Sequence, residues 1–129
     1  MNQEKNKNVL ITKAAREKMV KARSGAITLP AIIGMAFGDG GVDKDGNVLA
    51  PTGEQLQHEL YRKEIDGYSF PDDTVCRYEC TLAENEMVGA EISELGLYDS
   101  EGDIVCIKTF KRKGKDDDVE QTYSVDDIF

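Results

Sequence analysis

Residues 92–110 read ISELGLYDSEGDIVCIKTF, two apolar runs on either side of Asp99-Ser100-Glu101-Gly102-Asp103. That is the pattern of a β-hairpin. Gly accepts positive φ, and Asp and Ser side chains bond their own backbone within a turn. The connection is longer than a two-residue turn, so a bulge is expected at Gly102. The first run, Leu95-Gly96-Leu97-Tyr98, is apolar on both faces. The hairpin is therefore expected inside a sheet covered on both sides, not at its edge. It holds no residue with the look of a catalyst, which points toward a scaffold.

The neighbouring segments extend the pattern. Residues 91–98 and 104–110 form the two hairpin strands. Upstream, Thr74, Cys76, Tyr78, Cys80 and Leu82 alternate with Val75, Arg77, Glu79 and Thr81, as in a half-buried antiparallel strand. Residues 61–68 read as another strand, broken at Asp66-Gly67, and residues 120–125 as a last one. The charged turn 111–118 joins it to the hairpin, with Lys and Arg answered by three Asp; opposite charges across a turn favour closure modestly.

The first part of the chain reads differently. Ile11, Ala15, Met19 and Ala22 recur at helical spacing, predicting a helix over 9–22 that packs on the chain's own sheet and ends at Ser24-Gly25. Ile27, Leu29, Ala31, Ile33, Met35 and Phe37 alternate as a strand, with Pro30 at its start and regular pairing from Ala31. Gly38-Asp39-Gly40-Gly41 ends it. Thr52 with Gln55 three residues on predicts a short helix over 53–60. The expected fold class is α+β: an N-terminal helix and a short second helix packed on a mainly antiparallel sheet, ordered as a meander. The 129 residues are expected to form one domain, with residues 1–8 a flexible polar arm.

The composition narrows the function classes. Hydrophobic residues make up 40% and charged residues 32%, which suits a globular chain. A formal net charge of −9 repels phosphate backbones, so neither nucleic acid nor an anionic membrane is an expected partner. No stretch approaches the roughly 20 apolar residues of a membrane helix. The N-terminus lacks the pattern of a signal peptide, so synthesis and folding in the cytosol are expected. Three cysteines, an odd count, argue against a disulfide framework; buried free thiols are the expectation for Cys76, Cys80 and Cys106.

Tests for chemistry return little. In the Asp-rich loop 39–47, placing Gly46 at the sixth position of an EF-hand puts Asp43 third and Asp45 fifth. The first and twelfth positions are then Gly41 and Thr52, so two strong calcium ligands are missing. A zinc site from the three cysteines and the single His58 has no short ligand spacing behind it. The Gly-rich stretch 34–41 is not followed by the residues of a phosphate cradle, and His58 has no recognisable Ser or Cys elbow. No cofactor and no catalytic residue is assigned. A small calcium- or zinc-binding module built on loop 39–47 or on the cysteines stands as the alternative to a structural role.

The order of motifs resembles the N-terminal domain of bacteriophage tail-collar fibre proteins. The matching segments are Ile11-Thr12-Lys13-Ala14-Ala15-Arg16-Glu17-Lys18 in the opening helix, Met35-Ala36-Phe37-Gly38-Asp39-Gly40 at a strand end, His58-Glu59-Leu60-Tyr61-Arg62, and Glu94-Leu95-Gly96-Leu97-Tyr98-Asp99-Ser100-Glu101-Gly102 in the hairpin. The resemblance implies a structural protein without enzymatic activity or cofactor. Its implied role is to attach a tail fibre to the baseplate of a phage, prophage or phage-tail-like particle. Other tail or baseplate proteins and two further copies of itself, as a homotrimer, are the implied partners. The implied location is the virion tail, after synthesis in the bacterial host cytoplasm. These 129 residues hold no shaft repeat and no receptor-binding tip, so attachment and not host recognition is the expectation. The family-motif residues Gly38, Asp39, Gly40, Tyr61, Arg62, Glu94, Gly96, Leu97, Tyr98, Asp99 and Gly102 are expected to serve the fold. Gly96 between two leucines suggests close packing. Glu94, a charge in an apolar strand, is expected to bond a neighbouring turn or Arg62.

Overall fold

The structure, a computed structural model, describes residues 8–129. The arm expected over residues 1–8 lies, up to residue 7, outside them. The elements in order are β1 (Val9–Ile11), α1 (Lys13–Arg23), β2 (Ile32–Gly38), β3 (Glu59–Glu64), β4 (Gly67–Asp72), β5 (Val75–Leu82), β6 (Glu91–Asp99), β7 (Ile104–Gly114) and β8 (Gln121–Ile128). Strands make up 49% and helix 9% of the described residues, so the fold is mostly β and the α+β expectation is corrected.

Two antiparallel sheets replace the expected meander. One has the order β1-β7-β6-β2-β3, the other β4-β5-β8. The hairpin β6–β7 lies inside the larger sheet, as its two apolar faces require. Leu95 and Leu97 enter the core shared with the second sheet, where Met35, Phe37 and Cys106 meet Cys80, Leu82, Tyr123 and Val125. Phe37 and Tyr123 meet edge-on, ring centroids 5.4 Å apart. Each large apolar side chain buried there contributes about 1.5–3 kcal/mol. On the opposite face, Ala36, Leu56, Ile104 and Ile107 form a smaller cluster. Gly96 faces that cluster; a Cβ there would stand 3.1 Å from Ile104 and 3.2 Å from Leu56.

The helical expectations shift for identifiable reasons. Residues 9–11 are a strand, with Val9 opposite Lys108 and Ile11 opposite Cys106. The exposed edge of β7 captures these β-branched residues before the helix can use them. Thr12 is the N-cap: its hydroxyl oxygen accepts from the Ala15 amide at 3.2 Å and donates to the Ile104 carbonyl at 2.7 Å. The helix then runs from Lys13 to Arg23, with basic Lys21 and Arg23 in its last turn.

The second helix, expected over 53–60, is absent. Residues 53–58 are irregular, and Glu59 already begins β3. The amides of Gln57 and His58 donate to the Glu94 carboxylate instead of to a helical turn. In β2 the pairing with β6 shifts between Ile32 and Gly34, which takes Ile33 out of the face that buries Met35 and Phe37. Gly102 lies at φ 87° in the hairpin loop, but the bulge expected there falls between Leu97 and Tyr98.

The charged turn also differs. Residues 111–114 continue β7, and Lys115 is buried. Its ammonium donates to the carbonyls of Glu84 (3.0 Å) and Asp116 (2.7 Å), not to the Asp carboxylates that follow.

Two glycines test how tightly the layers meet. A Cβ on Gly41 would lie 2.0 Å from the Ser93 carbonyl oxygen, a backbone atom that cannot step aside, whereas one on Gly53 meets nothing nearer than 3.6 Å. Gly41→Ala is expected to lower the unfolding free energy by about 3 kcal/mol. Gly53→Ala is expected to stay within about 0.5 kcal/mol of the parent. Urea denaturation of both variants measures the contrast.

Candidate functional site

The eleven motif residues, spread from 38 to 102, fall mainly on β2, β3 and β6 and the turns that join them. Glu94 is the centre. Its residue is 1% exposed, and its carboxylate accepts three backbone N–H groups: Gly40 at 2.8 Å, Gln57 at 2.8 Å and His58 at 2.9 Å. Ser93 beside it accepts from the Gly41 amide at 2.9 Å. One strand thus fixes both the Gly38-Asp39-Gly40 turn and the 57–58 segment. The expectation that Glu94 bonds a neighbouring turn holds, and Arg62 is not its partner. Asp39 faces His58 across 2.5 Å at the exposed rim of this junction.

Arg62 serves a second junction. Its guanidinium lies 4.7 Å from the centre of the Tyr98 ring, donates to the Gly102 carbonyl at 2.9 Å, and grips Glu59 through two nitrogens. Those contacts tie β3 to the far end of the hairpin. Tyr98 lies over Gly34, where a Cβ would come within 2.0 Å of the ring. Tyr61 donates its hydroxyl to Glu86, which also binds Lys63 at 2.6 Å. Leu97 is fully buried in the core.

Asp99 organises the hairpin loop. One carboxylate oxygen accepts from the amides of Glu101 (3.0 Å) and Asp103 (3.2 Å); the other takes the Lys18 ammonium at 2.6 Å. Glu101 and Asp103 also reach that ammonium, each at 2.8 Å. Burial alone would lower the Lys18 pKa, but the hydrogen bonds to Asp103, Asp99 and Glu101 outweigh it and hold the ammonium well above the ordinary lysine value. These three acids are the one group among the described residues close enough together to hold a metal ion. Lys18 already sits in the middle of them.

The residues considered for a metal are not gathered. Asp43 turns back on its own loop, accepting from the amides of Asp45 and Asn47 at 2.9 Å each, and Asp39 faces His58 instead. The Asn47 amide bond is the main cause that lowers the Asp43 pKa. Cys80 and Cys106 lie in the core, where burial pushes their thiols up to about 11 and about 12; Cys76 is half-buried. Thiols so shifted stay protonated near neutral pH and make poor nucleophiles or ligands.

No protein family, curated protein or solved structure matches this chain.

In the sequence Lys18 stands out only as the end of the opening-helix motif and Lys115 only as part of a charged turn, and nothing marks Glu86. Each works through partners far away in sequence, and no local spacing announces them.

Two variants weigh the two junctions. Glu94→Ala takes the shared acceptor from three part-buried amide bonds, at about 1 kcal/mol each, and is expected to destabilise by about 3 kcal/mol. Arg62→Ala removes a part-exposed contact and is expected to cost only about 1 kcal/mol. Equal effects in chemical denaturation would show that Glu94 is not the dominant junction. The Glu86 network gives a pH signature. The bonds from Lys63 and then Tyr61 lower the Glu86 pKa from its ordinary 4.5 to about 2. This stabilisation is complete above pH 4.5 and is lost as pH falls toward 2. Glu86→Gln is expected to flatten the acid limb of unfolding free energy in that window; an unchanged slope would assign the limb to another carboxylate.

Proposed function

We propose that this chain is a structural component of a phage or prophage tail, or of a phage-tail-like particle, and attaches a tail fibre to the baseplate. The observation that carries the reading is the convergence on Glu94. Motifs lying 54 and 36 residues before Glu94 in sequence meet there, because the Gly40 and His58 amides share its carboxylate. Segments that resemble the tail-collar family singly are in this way one physical unit.

Within this reading the partners are other tail or baseplate proteins and two further copies of the chain, in the virion tail. Neither catalysis nor a cofactor is part of it. A metal-binding role has less support, since Lys18 supplies the cation for the 99–103 acids and the bonds of Asp43 turn inward.

The test is removal of the gene from a phage or prophage that encodes it. Tails with complete baseplates and missing fibres are expected by negative-stain microscopy, with fibres restored by the parent chain in trans and not by Glu94→Ala. Fully fibred particles from the deletion would overturn the proposal. Stoichiometric calcium or zinc in elemental analysis of the purified protein would favour the metal-binding alternative.

A further inference from the structure

The inward face of the second sheet reaches beyond the part that the first sheet covers. Tyr68, Tyr78 and Val125 stand in one row across β4, β5 and β8, and antiparallel partners point to the same face. Val125 is buried, yet Tyr68 is 64% exposed and Phe70, its ring 5.6 Å from that of Tyr68, is 70% exposed. Phe129, 61% exposed, extends the patch. These rings rim a groove of about 460 Å³ whose inner wall includes Ala15 and Met19 of α1. Aromatic residues clustered around a concave apolar surface are the composition of an interface core.

The groove's charges are uneven. Lys18 borders it, but its ammonium is shared among Asp99, Glu101 and Asp103. Asp127, opposite Cys76 in the ladder, is a half-buried carboxylate within the groove. It has no hydrogen-bond or ion-pair partner among the described residues, and burial alone raises its pKa. A carboxylate losing hydration against apolar surface is stabilised when a cation reaches it.

We infer that this groove docks an apolar segment of a partner protein that carries one Lys or Arg. The cation meets Asp127, and the apolar side chains seat against Tyr68, Phe70 and Phe129. A second copy docking through this same face is disfavoured as occupant, because that face brings a second Asp127 and its one lysine, Lys18, is already held by three acids. The inference goes beyond fibre attachment and holds whichever assembly the chain serves.

The experiment is a nuclear magnetic resonance titration of the full chain with a blocked peptide Leu-Phe-Lys-Leu and with its Gln and Glu counterparts. The amides of Cys76, Tyr78 and Asp127 are expected to shift, with the Lys peptide binding at least tenfold more tightly than the Glu peptide. Asp127→Asn is expected to bring the Lys peptide to the level of the Gln peptide. Phe70→Ser, at an exposed position, is expected to weaken all three alike. Equal binding of the three peptides, shifts confined to other surfaces, or a Lys preference that survives Asp127→Asn would overturn the inference. Concentration-dependent shifts of these amides without peptide would make a second copy the occupant and overturn it too. An Asp127 that serves only to keep β8 from pairing edge-to-edge would show no preference for peptide charge.

Discussion

The buried carboxylate of Glu94 is the constraint on which the rest of this fold depends. An acceptor-only group in the middle of a sheet needs donors, and this chain supplies them from backbone amides of two separate segments. Meeting that need fixes where β2 ends and how residues 39–41 cross over β6. It also fixes how residues 53–58 approach β3. The smaller core cluster follows from the same placement, since the 53–58 segment carries Leu56 onto Ile104 and Ile107. A hydrocarbon side chain at position 94 would fill the space without directing either loop.

Parts of this were legible from residue order alone. The hairpin was, because a period-two apolar pattern and a turn-rich loop are local signals that tertiary structure had no reason to override. The alternation from Cys76 to Leu82 was legible for the same cause. The second helix was misread because Thr52 and Gln55 imitate a capping box, while the amides that would have closed the helix turn instead to Glu94, 36 and 37 residues away. The start of the first helix was misread because Ile11 satisfies helical spacing and strand pairing equally, and only the open edge of β7 decides between them. In the candidate site, the expectation for Glu94 was sound. The position of Lys18 among three acids was not legible, since it needs the helix to lie beside a loop 81 residues later in the chain.

Charge is handled in this protein mostly by local enclosure. Lys18 neutralises the hairpin acids, Lys115 is wrapped by carbonyl oxygens, and Lys63 and Tyr61 share Glu86. Asp127 departs from that pattern, which is why it stands out against a chain rich in acids. The excess negative charge lies on surfaces where water screens it, and there it favours solubility more than any particular contact.

The order of strands in the two sheets has a consequence for how the chain comes into being. β1 pairs with β7 and β2 with β6, so the first sheet joins the start of the chain to its late part, and the second joins the middle of the chain, β5, to its last strand, β8. A ribosome adding roughly 5–20 residues per second exposes the β4–β5 hairpin well before β8 emerges to cover its flank. The apolar residues of β5 must wait, half-sheltered, until nearly the whole chain is available. Loops that close over such distances fold slowly. While the chain waits, Pro71 in the edge strand β4, which has no amide to offer a foreign strand, keeps that edge from pairing with its neighbours.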